Sequence, residues 1–259
     1  MSQEILYEVK DGVGRITFNR PEARNAFTFR MYERLAEICQ QAAADSSVKV
    51  LVLSGVDESA FAAGTDISEF RKFSTSQDAL DYEARINGLL DAFERIPIPT
   101  IAAIAGACTG GGTTIAACCD LRIGAANARF GVPIARTLGN CLSMANYFRL
   151  AALLGPARVK DIIFTGRLID SGEAHAIGLL SEVLPDYASL QSRADELART
   201  VASRAPLTLR VTKDALRRIK EKMMPEEDDK MILTCYMSRD FREGLDAFLN
   251  KRTPKWTGT

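Results

Sequence analysis

The sequence predicts an α/β fold with a parallel core and a helical C-terminal part. Strand-like apolar runs alternate with helix-like segments as far as about residue 143, and this order is typical of parallel strands joined by helices. Beyond that point most segments favour helix. Two glycine-bearing segments, 60–67 and 106–114, each follow a strand-like run, and they are the most informative features of the chain.

Four strands are predicted in the N-terminal body. Residues 13–18 carry apolar side chains at Val13, Ile16 and Phe18. Residues 48–53 and 100–105 have little polarity, which is typical of strands buried on both faces of a parallel sheet. A short strand is expected at 121–123, and a last one within 177–184.

Helix signals separate and follow these strands. Thr28 is predicted to cap a helix, because apolar residues recur at helical spacing after it. Residues 77–96 form a second amphipathic segment, and Pro97 ends it. Further helices are predicted at 143–154, 156–165, 171–177, 190–204, 206–222 and 226–250.

Charge and cysteine usage exclude several classes of function. Lysine plus arginine equals aspartate plus glutamate, at 33 each, which argues against a broad nucleic-acid surface. No uncharged apolar run reaches the roughly 18 residues of a membrane span, and the first residues lack a signal-peptide pattern. Six cysteines without paired spacing and one histidine predict reduced core thiols and no metal site. We therefore expect a soluble, cytoplasmic protein.

The glycine segments predict a ligand site made from backbone groups. Glycine lets the backbone approach a ligand closely, because it has no side chain to obstruct it. The second segment opens into a helix-like run, whose first N–H groups lack intrahelical partners and favour negative charge. Two such donors aimed at one point would stabilise an oxyanion.

Five segments, in the same order along the chain, resemble the enoyl-CoA hydratase/isomerase family, the crotonase superfamily. Residues 19–26 are similar to its N-R-P-x-x-x-N-A turn, residues 61–67 to F-x-A-G-x-D-[IL], and residues 99–112 to the segment that ends in G-G-G. Parts of 165–179 and 242–252 also resemble family patterns. The resemblance implies a spiral of strand–strand–helix units over residues 1–195. It also implies a helical C-terminal oligomerisation region, a trimerisation part, at 196–259.

The resemblance also implies a site for acyl-CoA. The backbone N–H groups of Thr65 and Gly111 would form the oxyanion hole for the thioester, and Ala23 and Arg24 would lie near the nucleotide part of CoA. Coenzyme A is part of the substrate, and no permanently bound cofactor is expected. Family members form trimers or dimers of trimers, in which the last helix reaches CoA bound to a neighbour. The remaining residues expected at the substrate are Ala62, Ala63, Gly64, Asp66, Ile67, Gly110, Phe248 and Lys251.

Two departures from the family pattern affect the chemistry. Thr114 and Ile134 occupy the positions of the family's two catalytic glutamates, and no glutamate occurs between Gly106 and Asp170. Adding water to a double bond needs one group to activate water and another to deliver a proton. The expected function is therefore an acyl-CoA enzyme that stabilises a thioester enolate. The alternatives are a decarboxylase or other lyase, a thioesterase, and a non-catalytic acyl-CoA-binding protein.

Two charged residues near these motifs allow more than one interpretation. Asp66 could act as a base, but its position favours a helix N-cap. Arg136 follows the second substituted position in an otherwise apolar stretch, where a guanidinium could bind a substrate carboxylate. It could equally be exposed, or be paired with an acid of the protein.

Overall fold

A computed structural model describes residues 3–259, and its main sheet has six strands. In spatial order these are β1 (Ile5–Lys10), β2 (Val13–Phe18), β3 (Val50–Gly55), β5 (Thr100–Ile104), β7 (Leu121–Ala125) and β10 (Glu182–Leu184). β1 and β2 form an antiparallel hairpin, and every later pair in this sheet is parallel. The four strands predicted from the body of the sequence are confirmed, while β1 was not predicted.

A second sheet of four short strands lies beside the first. Its order is β4 (Ala60–Ala62), β6 (Ala107–Thr109), β8 (Arg129–Gly131) and β9 (Ile169–Asp170). β4, β6 and β8 pair in parallel, and β9 is antiparallel to β8. Each of β3, β5 and β7 is followed along the chain by one of these short strands and then by a helix. The predicted strand–strand–helix units are therefore confirmed.

Eleven α-helices occur in residues 3–259. They are α1 (Phe29–Ala44), α2 (Ser76–Glu94), α3 (Gly111–Cys118), α4 (Ile134–Thr137), α5 (Met144–Leu154), α6 (Pro156–Thr165), α7 (Ser171–Ala176), α8 (Tyr187–Ala202), α9 (Pro206–Met223), α10 (Asp229–Tyr236) and α11 (Arg239–Leu249). Thr28 caps α1 by accepting a hydrogen bond from the N–H of Met31, as predicted. The prediction of one helix over 226–250 was wrong, because Ser238 caps a new helix by accepting from Phe241 N–H.

The main sheet is covered on both faces. α8 packs on one face, where its buried residues Leu190, Ala194 and Ala198 meet Val50 and Ile101. The opposite face carries the larger core, to which α1, α2 and α3 contribute. The helix α8 continues across the predicted boundary at residue 195, since its apolar stripe belongs to the core of the sheet.

The last two helices fold back onto the N-terminal body. α10 packs against α2, while α11 packs against a short 3₁₀ helix, Ile67–Lys72. Phe70, Tyr236 and Phe241 form the centre of this contact and are almost fully buried. The contact therefore brings side chains from the C-terminal part next to the first glycine segment.

The helix α9 differs from every other long helix because none of its residues is buried. Its apolar side chains Leu207, Val211, Ile219 and Met223 follow one another at four-residue spacing or multiples of it, and all are more than half exposed.

Among residues 3–259, no helix combines the length and apolar character needed to cross a membrane.

Candidate active site

The two glycine segments lie against each other. Gly64 has a φ of +108° and Gly110 a φ of +51°, values that side-chain-bearing residues rarely adopt. A Cβ placed on Gly110 would lie 3.6 Å from the Cα of Gly64. Gly112, the second residue of α3, is packed so tightly that a Cβ there would overlap the carbonyl of Ala62. The start of α3 is thus held directly against the end of β4.

Within residues 3–259, two backbone N–H groups at this junction have no backbone acceptor. Phe27 N–H donates to Gly64 O at 2.7 Å, and Asp66 N–H donates to Phe27 O at 2.8 Å. The N–H of Thr65, which lies between these two bonds, donates to no backbone oxygen of residues 3–259. Gly111 is the first residue of α3, where an N–H has no intrahelical partner. A Cβ on Gly111 would lie 3.4 Å from the Thr65 nitrogen, which shows how close the two N–H groups are.

Three hydroxyl groups lie beside these donors. Thr65 Oγ1 is 3.0 Å from the Tyr32 hydroxyl and 3.4 Å from the Tyr82 hydroxyl. A Cβ on Gly111 would overlap the Tyr32 hydroxyl and come within 3.1 Å of Thr65 Oγ1. Only glycine therefore fits at position 111 while Tyr32 keeps its place.

The turn at 20–26 is attached to the first glycine segment through Asn25. This amide is fully buried, accepts a hydrogen bond from Arg20 N–H and donates one to Ala60 O, both at 2.8 Å. Ala63 N–H donates to Arg24 O at 3.0 Å. These bonds hold Ala23 and Arg24 beside the first glycine segment, where both residues line a cavity. Asn25 was not singled out from the sequence, although it is the second asparagine of the N-R-P-x-x-x-N-A pattern.

Asp66 is used for local structure, as its position in the sequence predicted. It caps the 3₁₀ helix by accepting from Ser68 N–H, and its carboxylate pairs with the Arg20 guanidinium at 2.7 Å. Burial alone would raise the pKa of Asp66, but hydrogen bonds from Ser68 and Arg20 outweigh it and hold the pKa below its usual value. A carboxylate held in this way is a poor proton acceptor.

A cavity of about 680 Å³ opens from this junction. Its apolar wall comes from Ile67, Phe70, Ile86, Leu138 and Leu142. Most of the residues predicted for the site line it: Ala23, Arg24, Ala63, Gly64, Thr65, Asp66, Ile67, Gly110, Gly111, Thr114, Ile134, Phe248 and Lys251. Ala62 is instead buried beneath α3, and its carbonyl faces Gly112.

Thr114 and Ile134, the two departures from the resemblance noted in the sequence, both line this cavity. Thr114 is buried, and its hydroxyl donates to Gly111 O at 2.8 Å within its own helix. Ile134 presents a half-buried hydrocarbon side chain at the start of α4. Neither group can supply a carboxylate.

Arg136 lies outside the cavity lining. Its side chain is exposed, forms no ion pair within residues 3–259, and packs against Gly166. Of the three environments considered for this residue, the exposed one is observed. A guanidinium at this place does not reach the cavity wall.

The end of the last helix lies at the cavity of its own chain. Phe248 and Lys251 were expected at CoA bound to a neighbouring subunit, but they line the cavity of the chain that carries them. The reason is the fold-back of α11 onto Ile67–Lys72. The apolar residues Ile232, Tyr236 and Phe241 of the last two helices are buried within the chain.

Sequence reasoning missed an acidic residue in the cavity, Glu83 on α2. It is 8% exposed, and its Oε1 accepts a 2.5 Å hydrogen bond from the Tyr236 hydroxyl. Burial raises the pKa of Glu83 to about 7; the Tyr236 hydroxyl opposes this rise, and the Glu227 carboxyl adds to it. The available signal was its position on the buried stripe of α2, between Ala79 and Ile86.

Comparisons with known proteins give a consistent result over nearly the whole chain. The pattern of the Enoyl-CoA hydratase/isomerase family matches residues 8–259. YngF of Bacillus subtilis is 34% identical over 264 residues, covering 100% of both chains. A short-chain-enoyl-CoA hydratase of Clostridium acetobutylicum is 32% identical, covering 96% of this chain and 95% of its own. The solved structure of a methylmalonyl-CoA decarboxylase in complex with 2-nitronate-propionyl-CoA superposes with a TM-score of 0.90 at 26% identity, covering 100% of both chains.

Proposed function

The chain belongs to the enoyl-CoA hydratase/isomerase family, and from that premise we propose that it converts an acyl-CoA through a thioester enolate. The N–H groups of Thr65 and Gly111 would hold the thioester oxygen. The observation that carries this proposal is the pair of adjacent N–H groups that line the cavity and have no backbone acceptor within residues 3–259. Fixed donors aimed at a developing oxyanion stabilise it without reorganisation at the moment of reaction.

The rim of the cavity suits the rest of the CoA molecule. Arg24 and Lys251 are cationic, and both lie at the cavity that Thr65 and Gly111 open into. CoA carries phosphate groups, which lysine and arginine bind through charge-assisted hydrogen bonds. Phe248 is about half exposed at the same rim and offers an apolar surface. The nucleotide end of CoA would therefore lie along the turn at 20–26 and the end of α11.

Hydration is the family reaction that this cavity supports least. Thr114 and Ile134 cannot provide the carboxylate pair that activates water and protonates carbon. Each missing acid–base group costs on the order of 10²–10⁴-fold in rate. When two groups act as a unit, the two rate losses need not multiply. Conversions that need only an enolate and a single acid–base group, such as isomerisation, fit the observed groups better.

Decarboxylation is a second candidate, supported by the likeness to methylmalonyl-CoA decarboxylase. Loss of carbon dioxide from a carboxylated acyl-CoA leaves an enolate directly, so the two N–H groups would carry most of the stabilisation. Arg136, the cation considered for binding the leaving carboxylate, is exposed outside the cavity and gives this candidate no support.

Turnover of a panel of thioesters tests the proposal. Crotonyl-CoA, 3-butenoyl-CoA and methylmalonyl-CoA would be incubated with the protein, and products followed by mass spectrometry. We expect crotonyl-CoA hydration at least 100-fold slower than that of the Clostridium acetobutylicum relative, with conversion of another thioester. Hydration at the rate of that relative would contradict our assignment of the reaction, and the absence of any turnover would favour a binding protein.

We also expect self-association as a trimer or a dimer of trimers. The exposed apolar stripe of α9, with Leu207, Val211 and Ile219, is the surface that favours it, because a stripe of this size in water is unfavourable. Light scattering at micromolar concentration measures the assembly directly. A monomeric mass would contradict this expectation while leaving the site proposal intact.

A further inference from the structure

Three carboxyl groups line the cavity, and two of them have other roles. The Glu22 side chain is 75% exposed on the short turn at the rim. Asp66 is paired with Arg20 and caps a helix. Glu83 is the buried one, and within residues 3–259 no ion pair includes it. A buried carboxyl without a cationic partner is costly, and such a group in a cleft is a candidate for a functional site.

The surroundings of Glu83 leave one of its oxygens open. Oε1 accepts the hydrogen bond from Tyr236, whose hydroxyl in turn accepts one from Asn140 Nδ2 at 3.2 Å. Oε2 accepts no hydrogen bond from residues 3–259, and it is not enclosed by protein atoms. One oxygen is therefore fixed by the hydrogen bonds through Tyr236 and Asn140, while the other is unpaired within residues 3–259, on a side chain that lines the cavity.

We infer that Glu83 is the acid–base residue of this site, placed on α2 instead of at the two positions the family uses. Its carboxylate oxygen takes a proton from the α-carbon of the acyl chain. The C–H bond breaks, an O–H bond forms on Glu83, and the electron pair moves to the thioester oxygen as the enolate. The same carboxyl then returns a proton to carbon. This role needs the enolate to be held by Thr65 and Gly111, so it rests on the proposed function.

The protonation of Glu83 suits both directions of this transfer. A group whose pKa lies near the working pH accepts and donates a proton with similar ease. Because burial raises the pKa of Glu83 to about 7, both of its forms are populated at neutral pH. The titratable groups around it are Glu227 and Tyr236 from the α10 side, Tyr32 and Tyr82 beside the glycine segments, and Tyr147 with the Cys141–Cys235 pair.

Deuterium exchange isolates the proposed step, since it requires no knowledge of the natural substrate. Butyryl-CoA and 3-butenoyl-CoA would be incubated in D₂O, and deuterium at the α-carbon followed by mass spectrometry and NMR. Glu83→Gln keeps the shape of the side chain and removes its proton transfer. We expect exchange at least 100-fold slower, with acyl-CoA affinity within threefold of wild type. Glu8→Gln, an exposed residue on β1, is the matched control and should exchange at the wild-type rate.

The pH profile separates a catalytic role from a structural one. Exchange should rise with pH through about 7, because the carboxylate is the base. Tyr236 is a positioning residue, and Tyr236→Phe removes a donor that stabilises the carboxylate, so the midpoint should move to higher pH. A hydrogen bond with Cys141 lowers the pKa of the Cys235 thiol, so Cys235→Ser is a necessary control and should leave the midpoint unchanged.

The possible results distinguish failure of the role of Glu83 from failure of the proposed function. Wild-type exchange retained in Glu83→Gln, or acyl-CoA binding to wild type without any exchange, would overturn the role of Glu83. Absence of acyl-CoA binding by the wild-type protein would contradict the proposed function itself. If Glu83→Gln fails to fold, an unchanged midpoint in Tyr236→Phe would overturn the role on its own.

Discussion

One side of the cavity is formed by backbone groups and the other by side chains. The glycine wall, formed by Gly64, Thr65, Gly110 and Gly111, presents backbone groups that β4 and α3 fix in place. The helical wall, formed by Glu83 on α2, Tyr236 on α10 and Asn140, presents side chains. The difference indicates a division of labour. In the proposed function, the backbone donors would hold the thioester, and the side chains of the packed helices would determine the reaction that follows.

The two walls are expected to respond differently to substitutions. A backbone N–H persists whatever side chain its residue carries, so the glycine wall is sensitive only to atoms added in its way. The helical wall depends on side-chain identity at every position. Variants of the two walls should therefore fail differently, through binding on one side and through proton transfer on the other.

Asn25→Ala is expected to have the largest effect on stability, because Asn25 ties the turn at 20–26 to β4. Its removal takes the side-chain partner from Arg20 N–H, which is partly buried, and from Ala60 O, which is fully buried. Each unsatisfied buried group costs about 1–3 kcal/mol. Thermal unfolding should show a lower Tm, and calorimetry a weaker affinity for acyl-CoA. The exposed residue Asn250 is the control, since Asn250→Ala should change stability by less than about 0.5 kcal/mol.

If Asn25→Ala were as stable as wild type and bound acyl-CoA equally well, the turn would not support the glycine wall. The contrast between a rigid backbone wall and a side-chain wall would then lose its structural basis.

Thr65→Ala is expected to have the smallest effect. The substitution removes the hydroxyl that meets Tyr32 and Tyr82 but keeps the backbone N–H of residue 65. Affinity for butyryl-CoA and the rate of α-deuterium exchange should both stay within about fivefold of wild type, because one neutral hydrogen bond contributes about 1 kcal/mol. A loss of 100-fold or more would show that the Thr65 hydroxyl itself contacts the substrate.

The sequence predicted the glycine wall because its determinants are local. Gly64 and Gly110 lie in short motifs that directly follow strand-like runs. Glycine at these places indicates a sharp backbone turn, and both residues have a positive φ. The helical wall was not predicted, because Glu83 and Tyr236 are 153 residues apart and meet only when α10 packs on α2. The same long-range packing decided that Phe248 lines its own cavity, which no local pattern could indicate.

The most direct test of the account is the affinity of Gly111→Ala for butyryl-CoA, measured by calorimetric titration beside Gly88→Ala. A Cβ at position 111 would overlap the Tyr32 hydroxyl and lie 3.4 Å from Thr65 N, whereas a Cβ at Gly88 on α2 meets no atom within 4 Å. We predict an affinity at least 30-fold weaker in Gly111→Ala, with both variants folded by circular dichroism and Gly88→Ala binding as wild type. Equal affinity in Gly111→Ala and wild type would contradict the assignment of the glycine wall as the thioester site.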